Sequence, residues 1–220
     1  MDNNTHSIQL AVVTGGHPFD VRNFRHLFDS LPGITAYVQH MDDFASSSDA
    51  ERDAYDAVLL YTWLLPTPVD EGLPRYAGRP RSALERLTTT GKGIFVLHHS
   101  LLAFRDWPFW PQLVGIQDRR FQYWPEQTIT VQVADRSHPI SSELTDWTMT
   151  DETYTTNEPE NSTVLLRVDH PHSMRALAWT RQVDAARVFC LQSGHDNSSW
   201  AHPGFRHTLE RGIAWCAGRI

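Results

Sequence analysis

Four short polar clusters each stand directly after an apolar run. Gly15-Gly16-His17 follows IQLAVVT, Tyr61-Thr62-Trp63 follows YDAVLL, His98-His99-Ser100 follows GIFVL, and Gly194-His195-Asp196 follows ARVFCLQS. A further polar segment, TDETYTTNEPE (150–160), brings Asp151 and Glu152. Imidazole and carboxylate together can work as a general acid–base pair, because their pKa values can be tuned to bracket neutral pH. The same groups can hold a divalent metal such as zinc through nitrogen and oxygen. The spacing is not that of a compact metal motif: neither His-Glu-x-x-His nor Cys-x-x-Cys occurs. Ser100 lacks the Gly-x-Ser-x-Gly elbow of a serine hydrolase. Gly15-Gly16 has neither the Gly-x-Gly-x-x-Gly spacing nor a Walker lysine, so no nucleotide cofactor is expected.

Each feature also has a plainer reading. His98 and His99 are adjacent and cannot both point the same way, so one of them is structural, and the sequence leaves open which. A lone Asp such as Asp151 is more often a turn cap than a catalyst. His138, His170 and His202 each precede proline, which favours extended or turn conformations at the surface. Trp63, Trp107 and Trp110 could stack on a sugar face, although tryptophan more often fills a core.

The elements that must position these groups are legible as alternating apolar runs and helical patterns. IQLAVVTG (8–15) reads as a first strand, followed by a helix with Phe24, Leu27, Phe28 and Leu31 at three- and four-residue spacing. PGITAYVQHM reads as a second strand, and YDAVLLYTW (55–63) as a third, too apolar to face water on either side. The polar DDFASSSDAERDA reads as a connection. After a Pro-rich loop, RSALERLTTTG is a helix stopped by Gly91, and KGIFVLHHS is the next strand. LLAFRDWPFWPQLVG reads as a short helix broken by Pro108 and Pro111. QTITVQVAD, STVLLRVD and ALAWTR read as antiparallel or edge strands, ARVFCLQSGHD as a last apolar strand, and HPGFRHTLERGIAWCAGR as a closing amphipathic helix. The result is an open, mostly parallel α/β sheet with a β-rich insertion around residues 121–180. In such a sheet ligands bind outside the carboxyl ends of the strands. The four clusters therefore share one placement, and that shared placement is the main reason to expect a single cleft.

Composition sets the outer limits. A chain of 220 residues, 40% hydrophobic, fits one domain with a sizeable core. A net charge of −7 without any Lys/Arg-rich run argues against nucleic acid or an anionic membrane as partner. The opening stretch MDNNTHSIQLAVVTGG lacks the basic and long apolar regions of a signal peptide, and no run approaches a membrane span. Cys190 and Cys216 do not form a disulfide framework. A cytoplasmic protein acting on a small molecule is the expectation.

The order and wording of these motifs resemble the ThuA-like (trehalose-utilisation) proteins, a family related in fold to class I glutamine amidotransferases. The resemblance rests on VTGGHPFD, YDAVLLYTW, GKGIFVLHHSLLAFRDWPFWPQLVG, SHPISSELTDWTMTDETY, ARVFCLQSGHD and FRHTLERGIAWCAGR, which together cover nearly the whole chain. It implies a flavodoxin-like three-layer sandwich forming a single domain, in which a homodimer is compatible with the fold. An amidotransferase needs a cysteine at the turn after the central strand; His98-His99-Ser100 stands there instead, so no glutamyl thioester can form. The resemblance implies carbohydrate catabolism, with a disaccharide or keto-sugar derivative as substrate and isomerisation, elimination or hydrolysis as the chemistry. His98, His99, Glu152 and His195 are the expected catalytic residues. His17, Tyr61, Trp63, Trp107 and Asp196 are the expected substrate contacts, and His17, His98 and His195 the expected ligands of a divalent metal, zinc or similar. Where many relatives carry a histidine after the LVG motif, this chain reads RRFQYWPEQ, which weighs against metal. The rival expectation is a non-catalytic sugar-binding or assembly subunit on the same scaffold.

Overall fold

The computed structural model describes residues 6–220; residues 1–5, where the signal-peptide reading begins, lie outside the described residues. The chain forms one nine-stranded sheet. Its strands are β1 (Ile8–Gly15), β2 (Ile34–His40), β3 (Ala57–Thr62), β4 (Gly93–Leu97), β5 (Gln122–Val133), β6 (Trp147–Thr155), β7 (Thr163–Val168), β8 (Ala176–Val183) and β9 (Ala186–Leu191), in the order β2-β1-β3-β4-β9-β8-β7-β5-β6. The helices are α1 (Val21–Asp29), α2 (Met41–Ser46), α3 (Asp49–Asp53), α4 (Pro80–Thr89), α5 (Phe109–Val114), α6 (Asn197–Trp200) and α7 (Pro203–Cys216).

The expectation of a mostly parallel sheet is corrected. Strands β2, β1, β3, β4 and β9 are parallel, whereas β9-β8-β7-β5-β6 pair antiparallel throughout. The insertion is half of one mixed sheet: β8 and β9 form a tight hairpin in which Val183 pairs with Ala186, so β9 carries both kinds of pairing. A second correction concerns β6. TMTDETYT has no apolar face and reads as a polar cluster, yet it forms a full edge strand.

The apolar runs are explained by burial on both faces. Residues alternate with the two-residue period of a strand. Leu10, Val12, Leu59, Phe95, Leu97, Phe189 and Leu191 join Phe24 and Phe28 of α1 and Leu209 and Ile213 of α7 in one core. Ala11, Val13, Val58, Leu60, Ile94, Val96 and Val188 join residues of α2, α4 and α5 in the other. Trp107 and Trp110 are 2% and 0% exposed and belong to that second core, where the Trp110 indole donates to the Ser100 carbonyl. They fill space and do not present a face to substrate. No helix among the described residues is long and apolar enough to cross a membrane.

Candidate functional site

At the carboxyl end of β4 the chain turns at once. His98 opens a 3₁₀ turn (98–102) with φ of 53°, a conformation that non-glycine residues adopt rarely and that tends to mark functional turns. The turn is pinned by Ser100, whose hydroxyl donates to the Thr62 carbonyl (2.9 Å) and accepts the Thr62 N–H (2.5 Å) at the end of β3. Both roles of that oxygen are used for structure, so Ser100 is no nucleophile. Cys190 and Cys216 are buried, and burial pushes both thiols well up. Neither supplies a thiolate.

The reversed turn sends the two adjacent imidazoles to different places. His98 is fully buried, and its Nδ1 lies 2.7 Å from the Gln192 carbonyl. A carbonyl only accepts, so Nδ1 carries a proton and Nε2 faces the opposite way. There Nε2 meets the Tyr154 hydroxyl at 2.7 Å, His195 Nδ1 at 3.0 Å and Glu152 Oε1 at 3.5 Å. Glu152 Oε1 is also 3.5 Å from His195 Nδ1. His99 turns underneath. It is 1% exposed, stacks on His17 (4.5 Å between ring centroids) and packs on Tyr61 (4.3 Å). The Tyr61 backbone pulls on the ring only weakly, and neither nitrogen completes a hydrogen bond. Burial, and then the neighbouring histidines, drive its pKa far down, so it stays neutral. It is His98 that meets the acid.

The acid comes from the edge strand. Glu152 and Tyr154 are two residues apart on β6 and so project from the same face. Asp151, on the opposite face and fully buried, accepts the N–H groups of Glu152 (2.9 Å), Gly194 (2.8 Å) and His195 (3.1 Å). Burial pushes its carboxyl up against the His98 charge and these three donors, which pull it down. Asp151 thus ties the turn after β9 to β6 and carries His195 to Glu152. Tyr61 serves the same turn: it is 1% exposed, and its hydroxyl donates to the His195 carbonyl at 3.0 Å. It holds the turn instead of touching a ligand. Asp196 is exposed and caps α6 by accepting the Ser198 N–H (2.8 Å), so its carboxylate is spent on the helix.

A cavity of about 210 Å³ opens beside the cluster, lined by His17, Trp63, Phe121, Tyr123, Glu152 and Tyr154. Glu152 is the one carboxylate that the described residues place on its wall. Gly16, at φ of 76°, brings the chain so close to Trp63 that an added Cβ would lie 2.4 Å from the Trp63 carbonyl oxygen, which sets His17 beside Trp63. Burial, then the charges of His195 and His98, lower the His17 pKa. For Glu152 burial works upward, but hydrogen bonding to His98 and the charges of both histidines, with Tyr154, outweigh it and hold the carboxyl below its ordinary value. Tyr154 is raised well above the usual phenol by burial and by Glu152, so it keeps its proton. A larger cleft of about 410 Å³ lies where α1 meets α6 and α7, but no carboxylate of the described residues lines it.

Of the expected residues, the structure brings together His98, Glu152 and His195, with His17 and Trp63 on the cavity wall. It places His99 and Tyr61 beneath the site and Trp107 and Asp196 away from it. His17 also stands outside the trio of atoms that fits a metal. Nδ1 of His195, Nε2 of His98 and a Glu152 oxygen lie within 4.8 Å of one another, and Glu152 takes the place expected for His17. Sequence reasoning missed Tyr154 and Gln192. Tyr154 was discoverable from its i+2 spacing to Glu152 once β6 is read as a strand; Gln192 acts through its carbonyl, which no side-chain pattern reports.

Comparison with known proteins agrees with this architecture. The ThuA family model, described as trehalose utilisation, matches residues 38–216. A search of curated proteins gives no match. Among solved structures, a protein of Parabacteroides merdae described as ThuA-like superposes with a TM-score of 0.74 at 17% identity, covering 97% of this chain and 91% of its own. One from Bacteroides uniformis, described in the same way, gives 0.72 at 15%, with 95% and 91% covered. A cytoplasmic protein of Salmonella typhimurium gives 0.65 at 8%, with 93% and 98% covered. At these identities the likeness is one of fold. The family match spans most of the sequence and includes every member of the His98–Glu152–Tyr154–His195 cluster, and this chain belongs to the ThuA family.

Proposed function

We propose that this protein is an enzyme of carbohydrate metabolism that moves a proton on a keto-sugar, free or within a disaccharide, with Glu152 as the general base. One observation carries the reading: the only carboxylate that the described residues place on the cavity wall lies 3.5 Å from two imidazoles, one of which meets the Tyr154 phenol on the same wall at 2.7 Å. A carboxylate held below its ordinary pKa is ionised at neutral pH and free to accept a proton. Beside it, Tyr154 keeps a hydroxyl proton to donate toward a substrate oxygen.

In the proposed step Glu152 takes the proton from a carbon next to the sugar carbonyl. The C–H electron pair becomes the enolate double bond, and the carbonyl oxygen gains the negative charge. Donation from Tyr154 stabilises that oxygen. Return of the proton to the former carbonyl carbon, with the α-hydroxyl proton passing to the enolate oxygen, gives the isomer; departure of a β-substituent, which takes up the proton as the carbonyl re-forms, gives elimination. His98, fixed by Gln192, relays protons between Tyr154 and His195 without touching the sugar itself. Trp63 supplies an apolar face beside the ring.

The same residues suit a divalent metal. Spacings of 3.0, 3.5 and 3.5 Å match the edges, roughly 3.3 Å, of a tetrahedron with zinc–ligand bonds of about 2.0–2.1 Å, and the Gln192 contact orients His98 as an outer-shell acceptor does. His98, His195 and one Glu152 oxygen would hold the ion, leaving the other Glu152 oxygen to act as base, and the ion's chemistry there would be to polarise the sugar carbonyl. The cytoplasm, where one neighbour in fold is described as residing, is the compartment in which such sugar intermediates would be met.

The test is turnover of 3-keto-disaccharides by the Glu152→Gln variant. It should fall by about 10²–10⁴-fold while the far- and near-ultraviolet circular dichroism stay unchanged. Wild-type protein that binds these sugars without converting them would instead make it a sugar-binding subunit.

A further inference from the structure

The cavity beside Glu152 is small. At about 210 Å³ it is below the roughly 300–1,000 Å³ of sites that enclose drug-sized ligands, so it suits one ring and not a whole disaccharide. A second cavity of about 360 Å³ adjoins it, and the two share Trp63 and Phe121 as a common wall. Among the described residues the rest of its lining is Leu65 and Leu102 with three arginines, Arg105, Arg119 and Arg120, and no acid.

The three guanidinium groups are not equivalent. Arg120 is chelated by Asp118 through Nε and Nη2, so its charge is largely matched. Arg119 is partly buried and donates only to backbone carbonyls, those of Ala103, Phe104 and Arg105. No carboxylate lies in salt-bridge range of it among the described residues. Burial pushes its pKa down to about 10, with only a distant pull from Asp106. A partly buried cation without a counter-ion is costly and is ordinarily paired. Among the described residues Arg105, whose side chain is exposed, has no side-chain hydrogen-bond or ion-pair partner, although its backbone N–H is anchored to the Leu65 carbonyl at 3.0 Å. One unmatched cation in the wall and one free cation at the rim therefore face a concavity next to the reacting centre.

We infer that this second cavity is an oxyanion subsite: the sugar substrate carries a phosphate or carboxylate group, remote from the reacting carbon, that Arg105 and Arg119 bind while the ring sits beside Glu152. The inference rests on the sugar reading of the first cavity for its ring and on the arginines for its charge. The Arg105 fork can bind such a group bidentately and read both its charge and its shape, while Arg119, whose Nη groups already donate to three carbonyls, contributes mainly charge.

Calorimetric titration at fixed ionic strength with glucose, glucose 6-phosphate and glucuronate tests it and separates the two anion sources. Glucose 6-phosphate or glucuronate should bind at least about tenfold more tightly than glucose, the strength of one good charge-assisted contact. The preference should weaken with added salt and disappear in Arg105→Glu, whose exposed position leaves the fold intact. Arg119 is left unmutated because it also clasps the loop after β4. Equal affinity for all three sugars, or an anion preference that survives Arg105→Glu, overturns the subsite. Turnover of neutral keto-disaccharides without any anion preference also overturns it while leaving Glu152 in its role. Anion preference without any turnover keeps the subsite and removes the catalytic reading.

Discussion

Most of the twelve histidines are distributed between two uses, and the residue scale separates them. At His138, His170 and His202, each before a proline, and at His40, the imidazole Nδ1 accepts the N–H two residues on, closing a small turn. Protonation destroys that acceptor. For His138, burial holds the pKa below its ordinary value, with Asp135 opposing. The unfolded chain therefore takes up the proton first, and the stability present above about pH 6.5 drains away as the pH falls below it. His138→Asn keeps an acceptor and removes the titration, so its melting temperature should vary less between pH 6.5 and 5 than that of the wild type, with a residual slope from His17 and His99. A second residue-scale expectation concerns His99, buried with both nitrogens unsatisfied. Replacing it by Phe removes two stranded polar atoms from an aromatic stack, and urea denaturation should show stability unchanged or raised by about 1 kcal/mol. The opposite holds for Asp151→Ala. Three N–H groups lose their acceptor in a buried place, and the same measurement should show a loss of about 3 kcal/mol.

At the scale of elements, the parallel half was legible and the antiparallel half was not. Strands β1, β3, β4 and β9 are covered on both faces, so they read as unbroken apolar runs, and the polar residues just beyond them stood out. Strand β6 has polar residues on both faces. Thr153 and Asp151 are buried because their side chains are satisfied by the His172 carbonyl and by the turn after β9, partners far away in sequence. No local pattern encodes that, so Glu152 was identified by type and Tyr154 not at all. Helices α2 and α3 were missed for a related reason: polar side chains cap both, His40 accepting the Asp42 N–H at the start of α2 and Ser48 with Glu51 forming a capping box on α3. The turn after β1 gives this scale its own test. At Gly16 a Cβ collides with the Trp63 backbone, so Gly16→Ala must push β1 and the β3 loop apart. The variant should lose more than about 1 kcal/mol of stability and bind sugars more weakly even where it remains folded, since His17 and Trp63 both move.

Across the whole molecule, the site joins the most protected part of the sheet to the least. The imidazoles arise at the ends of β4 and β9, whose residues are almost all fully buried, with neighbours on both sides. The carboxylate arises on β6, an edge strand paired only with β5 across a register shift between Trp124 and Gln127. Edge strands open locally at a free energy below that of global unfolding, whereas central strands exchange only through it. Amide hydrogens of Thr150 to Thr155 that pair with β5 should therefore exchange orders of magnitude faster than those of Gly93 to Leu97 under native conditions. In mild urea this difference becomes functional. Fraying of β6 withdraws Glu152 and Tyr154 and releases the Asp151 clamp on His195, so ligand binding should be lost at a urea concentration where the circular dichroism of the sheet is still native. Coincident loss of binding and of secondary structure, with equal protection in β4 and β6, would show that the clamp makes β6 part of the central unit; Asp151→Ala should then separate the two transitions.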